Sequence, residues 1–286
     1  MGKGPGTVGT VVPTRPAPAV YQEPEYSVDP QRLIRIEHYC DEEPTDPSGY
    51  ARWLARVSTM RGEAITQWAS AIVDSETSMD IMARLWFRYK LAPPKGPQLG
   101  LHDTRPWRAG TTDTLEENLY IRLGSWRTNV LLVCHLNEEK DEVSGGFVRN
   151  PSAPGRLSKR LPAGYSELAY CYATRDEKGS RIYCLQNQND GRMNATSSIN
   201  APDPCFNHYE SLWDNWPGQL RPIIHAICYG DPGTGKTTFA ATWPCPMLVF
   251  AFDNVGKERP YLNQGQVVAQ FQDQYGTFVE IVEKAA

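Results

Sequence analysis

Apolar residues fall in short runs separated by polar stretches. Four of these runs read as strands buried on both faces: Ala69-Ser-Ala-Ile-Val-Asp74, Asn129-Val-Leu-Leu-Val-Cys-His135, Ile223-Ile-His-Ala-Ile-Cys-Tyr229 and Met247-Leu-Val-Phe-Ala-Phe-Asp253. Near-continuous aliphatic runs of this length are the signature of a parallel sheet covered by helices on either side. A shorter strand pattern spans 33–39, and two more, 165–172 and 181–188, flank a turn at Asp176–Gly179. Between them the period changes. Tyr50, Trp53, Leu54 and Val57 recur at helical spacing and predict a helix from Ser48 to about Gln67. Residues 79–90 and 113–127 also read as helical, and 237–243 as a short helix. Trp53, Trp68 and Trp86 are expected in the core, with Trp213 and Trp216 pinning the segment before the third apolar run. Segments 91–112, 136–164 and 190–220 read as loop or irregular structure, and 278–282 as a weak strand. The pattern predicts an α/β fold with a mostly parallel central sheet.

The third apolar run passes directly into Gly230-Asp231-Pro232-Gly233-Thr234-Gly235-Lys236-Thr237, a complete G-x-x-x-x-G-K-T phosphate-binding loop, followed by Thr238 and the short helix. Glycines let successive backbone N–H groups converge on one anion-sized nest. Lys236 is expected on the β- and γ-phosphates, and the Thr237 hydroxyl on Mg²⁺. ATP and Mg²⁺ are therefore the expected ligands.

The position of this loop is unusual. Only 50 residues follow Lys236, and they hold one clear strand. Two or three strands cannot make a sheet covered on both faces, so the remaining strands must come from upstream. Asp74 then becomes the candidate second ligand of the Mg²⁺ site, His135 a strand-tip polar group beside the γ-phosphate, and Asp253 an acid on a neighbouring tip. Read cyclically from about Gly218, the segments fall into an ordinary order, so the domain is expected to be circularly permuted.

Composition narrows the setting. The net charge is −4 and the pI about 5.8, which argues against a generally basic nucleic-acid coat. Seven scattered cysteines without metal spacing read as reduced structural thiols. Residues 1–30 hold six prolines and four glycines and read as a flexible tail, leaving 31–286 as one domain. No run is long enough to span a bilayer. The expectation is a soluble, cytoplasmic protein with no membrane partner. One local feature departs from the acidic average: Arg149, Arg156, Lys159 and Arg160 lie within 144–164 without an acid among them.

In cyclic order the chain resembles phage-encoded RecA-like ATPases that assist single-strand annealing and recombination. The resemblance rests on Tyr229–Thr238, Phe250–Leu262, Trp68–Met82 and Asn129–His135, and covers about 200 of the 286 residues. It implies ATP hydrolysis, single-stranded DNA as partner, and a head-to-tail homo-oligomer with nucleotide at the subunit interface. It also implies a catalytic base on the strand after the P-loop, with Asp253 first and Glu258 and Glu76 behind it. Arg149, Arg156, Lys159 and Arg160 would contact the DNA backbone, with Tyr165 stacking on a base. Arg181 or Arg192 would serve as arginine fingers across the interface. Two other functions fit the same P-loop: a small-molecule kinase with Asp253 on the acceptor hydroxyl, and an assembly protein held together by ATP with little turnover.

Overall fold

The computed structural model describes residues 33–41, 43–91, 111–140, 145–154, 157–253, 259–262, 266–273 and 276–282. The Pro-rich segment 1–30, the loop 92–110, Arg156 and Glu258 lie outside the described residues. Along the chain come β1 (Leu33–His38), α1 (Gly49–Thr59), α2 (Glu63–Thr66), β2 (Ser70–Asp74), α3 (Glu76–Trp86), β3 (Asn129–Lys140), β4 (Phe147–Pro151), α4 (Leu157–Arg160), β5 (Glu167–Arg175), β6 (Arg181–Gln186), β7 (Thr196–Ser197), β8 (Cys205–Phe206), β9 (His225–Gly230), α5 (Lys236–Ala241), β10 (Met247–Ala251), α6 (Arg259–Leu262), β11 (Gln266–Asp273) and β12 (Gly276–Val282). A further helical segment, 111–125, precedes β3.

These strands form one mixed α/β sheet. Its order is β12-β11-β1-β10-β2-β3-β9-β5-β6-β8, with β4 added to β3 and β7 to β5. Every pairing from β11 to β5 is parallel; the antiparallel pairs are those of β12, β6, β7 and β8 at the margins and the hairpin of β4 with the far half of β3. The upstream strands required by the short C-terminal stretch are present: β10 lies between β1 and β2, and β9 lies beside β3.

Strand residues alternate between two cores, as a pleated strand demands. Ala71, Val73, Val130, Leu132, Leu248 and Phe250 face one side and meet Tyr50 and Trp53 of α1, Met79 and Ala83 of α3, and Leu115 and Leu119. Ile72, Leu131, Val133, Val249 and Cys228 face the other and meet Phe239 and Ala240 of α5 and Tyr209 and Trp213. The chain leaves β3 across the first face, where Leu157 and Leu161 pack, and leaves β9 across the second. Neighbouring strands whose connections depart over opposite faces open a crevice at their C-terminal ends, the usual ligand position in such sheets.

Several expected boundaries move. The helix from Ser48 to Gln67 is two helices, broken at 60–62. The β3 strand does not end at His135 but runs on to Lys140 and pairs with β4, so the expected loop 136–164 contains a hairpin and α4. The segment 190–220 contributes β7, β8 and a 3₁₀ turn at Tyr209–Trp213. Trp53, Trp68 and Trp213 are buried as expected. The cysteines among the described residues are all free thiols.

Candidate phosphate site

The C-terminal ends of β10, β2 and β9 stand side by side with the point on β3 where its parallel pairing ends, in the order β10, β2, β3, β9. They carry, in turn, Asp253, Asp74, His135 and the P-loop. At His135, which lies in register with Gly230, parallel pairing with β9 gives way to antiparallel pairing with β4. The His135 backbone N–H donates to Thr77 Oγ1 at 3.0 Å, and its carbonyl accepts from Ser152 N at 2.8 Å. The strand tip is thereby fastened to α3 on one side and to the start of the 152–164 segment on the other.

The P-loop begins with a close approach. A Cβ on Gly230 would stand 2.3 Å from the Cys171 carbonyl oxygen, so only glycine lets β9 lie this near β5 here. Asp231, Pro232 and Gly233 are exposed, while Thr234 turns inward and its hydroxyl donates to the Asp231 carbonyl at 2.8 Å. Gly233 and Gly235 adopt φ of +77° and +85°. Left-handed residues within a run of right-handed ones turn successive N–H groups to one side and carbonyls to the other. Lys236 is buried, with its ammonium donating to the carbonyls of Gly230 and Asp231 at 2.8 Å each. Thr237 is half-buried and Thr238 exposed at the start of α5.

On the neighbouring tips, Asp74 is buried and its Oδ2 accepts from the Tyr261 hydroxyl at 3.2 Å. Burial, reinforced by the Asp74 charge, holds the Tyr261 phenol well above its ordinary range, so it stays protonated and donates to that carboxylate. The Phe252 N–H donates to the Asp74 carbonyl at 2.8 Å, which brings Asp253 alongside the start of α3. Asp253 Oδ1 accepts from Ser75 Oγ at 3.3 Å and from the Ser78 hydroxyl. Two hydroxyl donors fix the position of one carboxylate oxygen. Among the described residues no group of three or more His, Cys, Asp or Glu side chains is arranged to hold a metal by itself. Mg²⁺ keeps several waters and takes oxygens from substrate phosphates, so the Thr237 hydroxyl and the Asp74 carboxylate suffice as the protein's share. The donor set fits that ion.

Other expected site residues fall elsewhere. Glu76 is fully buried in the first core, beneath the strand tips, and is sealed from any attacking water. Tyr165 is buried too, with its hydroxyl on the Leu119 carbonyl at 2.7 Å, and offers no face for a base. Arg149 lies on β4 and pairs with Glu138 of β3 at 2.5 Å, while Arg160 pairs with Glu116. The hairpin brings Glu138 and Glu139 against the basic stretch, so 144–164 is not an isolated cationic loop. Arg181 donates to the Gly233 carbonyl of its own P-loop at 2.8 Å, where a finger reaching across an interface had been expected.

Burial pushes the Glu76 carboxyl up to about 8, against smaller downward pulls from Arg84 and Cys134. The unfolded carboxyl ionises near ~4.3. Between these values the folded chain holds the extra proton, so stability falls as pH rises. Glu76→Gln is expected to unfold at nearly the wild-type temperature at pH 4–5 and progressively above it from pH 6 to pH 9. Parallel melting curves across that range would contradict this account of Glu76.

No protein-family model, no curated protein and no solved structure matches this chain. Among the described residues no helix is long and apolar enough to cross a membrane.

Proposed function

We propose that this chain is an ATPase of RecA-like type, written in circularly permuted order, that hydrolyses ATP with Mg²⁺ and works on single-stranded DNA. One observation carries the proposal. Lys236 and Thr237, His135, Asp74 and Asp253, far apart in sequence, come to the same end of four adjacent parallel strands. In that arrangement the nest holds the phosphates, and Thr237 and Asp74 face the metal. Asp253, steered by Ser75 and Ser78, stands where its carboxylate can orient a water and take its proton. Read cyclically from β9, the chain visits β10, β11–β12, β1, β2, β3 and β5, which is the order of a domain that opens with its P-loop.

The DNA part rests on the resemblance and on one structural link. The β3–β4 hairpin grows out of His135, which pairs with Gly230, so a change in phosphate state at Gly230 has a path through the β9–β3 pairing to the hairpin and to Arg149. Arg156, Lys159 and Arg160 complete the basic set. A head-to-tail homo-oligomer follows from the same resemblance.

The deciding experiment is phosphate release from ATP with and without single-stranded DNA, over a salt series. The expected result is stimulation by DNA that fades steeply with salt, because the contacts are to backbone phosphates. Turnover indifferent to DNA would overturn the DNA assignment and favour a small-molecule kinase. Tight ATP binding without phosphate release would favour an ATP-held assembly.

A further inference from the structure

The P-loop is held from outside as well as built from within. Asn207 follows β8 and is buried, and its Nδ2 donates to the Gly235 carbonyl at 2.8 Å. Arg181, at the start of β6, donates to the Gly233 carbonyl at 2.8 Å, and its guanidinium lies 5.2 Å from the centroid of the Tyr183 ring. These are the two P-loop positions with positive φ. Their carbonyls point away from the side where the N–H groups converge.

The packing around Gly235 is tight. A Cβ there would stand 2.7 Å from Asn207 Nδ2 and 2.9 Å from Tyr183 Cδ1. The segment that brings Asn207 into place is itself anchored twice, by Asn207 N to the Tyr183 carbonyl at 3.1 Å and by Tyr209 N to Thr242 Oγ1 at 2.9 Å. The second anchor ties the segment to the C-terminal end of α5. The amide orientation is fixed by its partner, since the flipped amide would set Oδ1 against the Gly235 carbonyl, acceptor against acceptor. In the orientation that satisfies Nδ2, Oδ1 is buried without a hydrogen-bond partner among the described residues. An apolar side chain of similar size would avoid that unsatisfied acceptor. What the asparagine supplies at this position is the donor to Gly235.

We propose that Asn207, assisted by Arg181, is a positioning residue that presets the P-loop nest for phosphate by holding the outward carbonyls of Gly235 and Gly233. This rests on the nucleotide reading of the P-loop. With the carbonyls tied, the N–H groups stay converged before ligand arrives, and binding does not have to order the loop. Asn207 is the stronger brace because its bond is part-buried; that of Arg181 is exposed and screened.

The test is the binding of ADP and ATP, each with Mg²⁺, to the full chain by calorimetry, for wild type, Asn207→Ala, Asn207→Asp and Arg181→Ala. Asn207→Ala is expected to weaken both nucleotides about tenfold, the size of one buried hydrogen bond, while kcat at saturating ATP changes less. Arg181→Ala is expected to weaken both about two- to threefold. Asn207→Asp separates positioning from general damage. Its carboxylate repels the Gly235 carbonyl at pH 8, whereas its protonated form donates as the amide did. Relative to wild type at the same pH, its affinity should recover as pH falls through about 4, where an ordinary aspartate takes up its proton. Wild-type chain that binds neither nucleotide would overturn the nucleotide reading itself. Wild-type binding that Asn207→Ala leaves unchanged, or an Asn207→Asp defect without recovery at low pH, would overturn the brace alone.

Discussion

Lys236→Ala should abolish measurable phosphate release from ATP, with kcat/KM falling at least about 100-fold, as expected when one preorganised donor to a phosphate is removed. The reason is visible in the free protein. The ammonium is buried and bonded to the carbonyls of Gly230 and Asp231, so it is already at the mouth of the nest. Phosphate oxygens have only to replace those two acceptors, and the lysine gains charge-assisted partners without crossing solvent. The same variant also loses two hydrogen bonds that hold the free loop. Its fold must therefore be checked by thermal unfolding, where a drop of about 1–3 kcal/mol is expected. A folded Lys236→Ala chain that still turns over ATP at the wild-type rate would remove the P-loop from the chemistry.

The parts of this fold that were legible in sequence share one physical property. Strands β2, β3, β9 and β10 are buried on both faces, so burial wrote a continuous apolar run into each, and each run ends where the chain emerges at the phosphate side. The P-loop is legible for a different reason: a nest with φ above zero at two positions leaves little choice of residue. What was missed lacks either constraint. The second half of β3, Glu138-Glu139-Lys140, pairs along one edge only and is exposed. Nothing selects for apolar side chains there, and a polar strand reads as loop. That error propagated, because the hairpin sets Glu138 against Arg149 and so changes the charge a DNA backbone would meet.

Asn207 and Arg181 were illegible for a third reason. Both act on backbone carbonyls, and a carbonyl imposes no residue type on its own position. Asn207 follows a two-residue strand without periodicity, and Arg181, on a strand that the pattern does show, reads as an interface arginine because its partner is a carbonyl of its own P-loop. The network around Asp253 was half legible. A strand-end acid could be read from Met247–Asp253, but its hydroxyl partners Ser75 and Ser78 belong to a helix 175 residues or more away in sequence, and only the pairing of β10 with β2 joins them. The place of β10 in the sheet matters here. Because β10 is inserted between β1 and β2, the acid that follows the P-loop in the chain meets residues that precede it.

Asp253→Asn is the variant that separates hydrolysis from mere binding. The substitution preserves shape and can still accept from Ser75 and Ser78, but it removes the charge that would draw a proton from water. Phosphate release at saturating ATP should fall by a factor on the order of 10² to 10⁴, the range a positioned general base supplies. The Kd for ATP with Mg²⁺ should stay within about threefold of wild type, because Asp253 is not among the groups proposed to hold phosphate or metal. Asp74→Asn gives the contrasting pattern: the Mg²⁺ concentration needed for half-maximal turnover rises, and the rate is partly restored at high Mg²⁺. Measured together, the two variants assign the neighbouring strand tips. A loss in Asp253→Asn that Mg²⁺ repairs would make Asp253 a metal-site residue and leave the base to be sought elsewhere. An unchanged rate would take Asp253 out of the chemistry altogether.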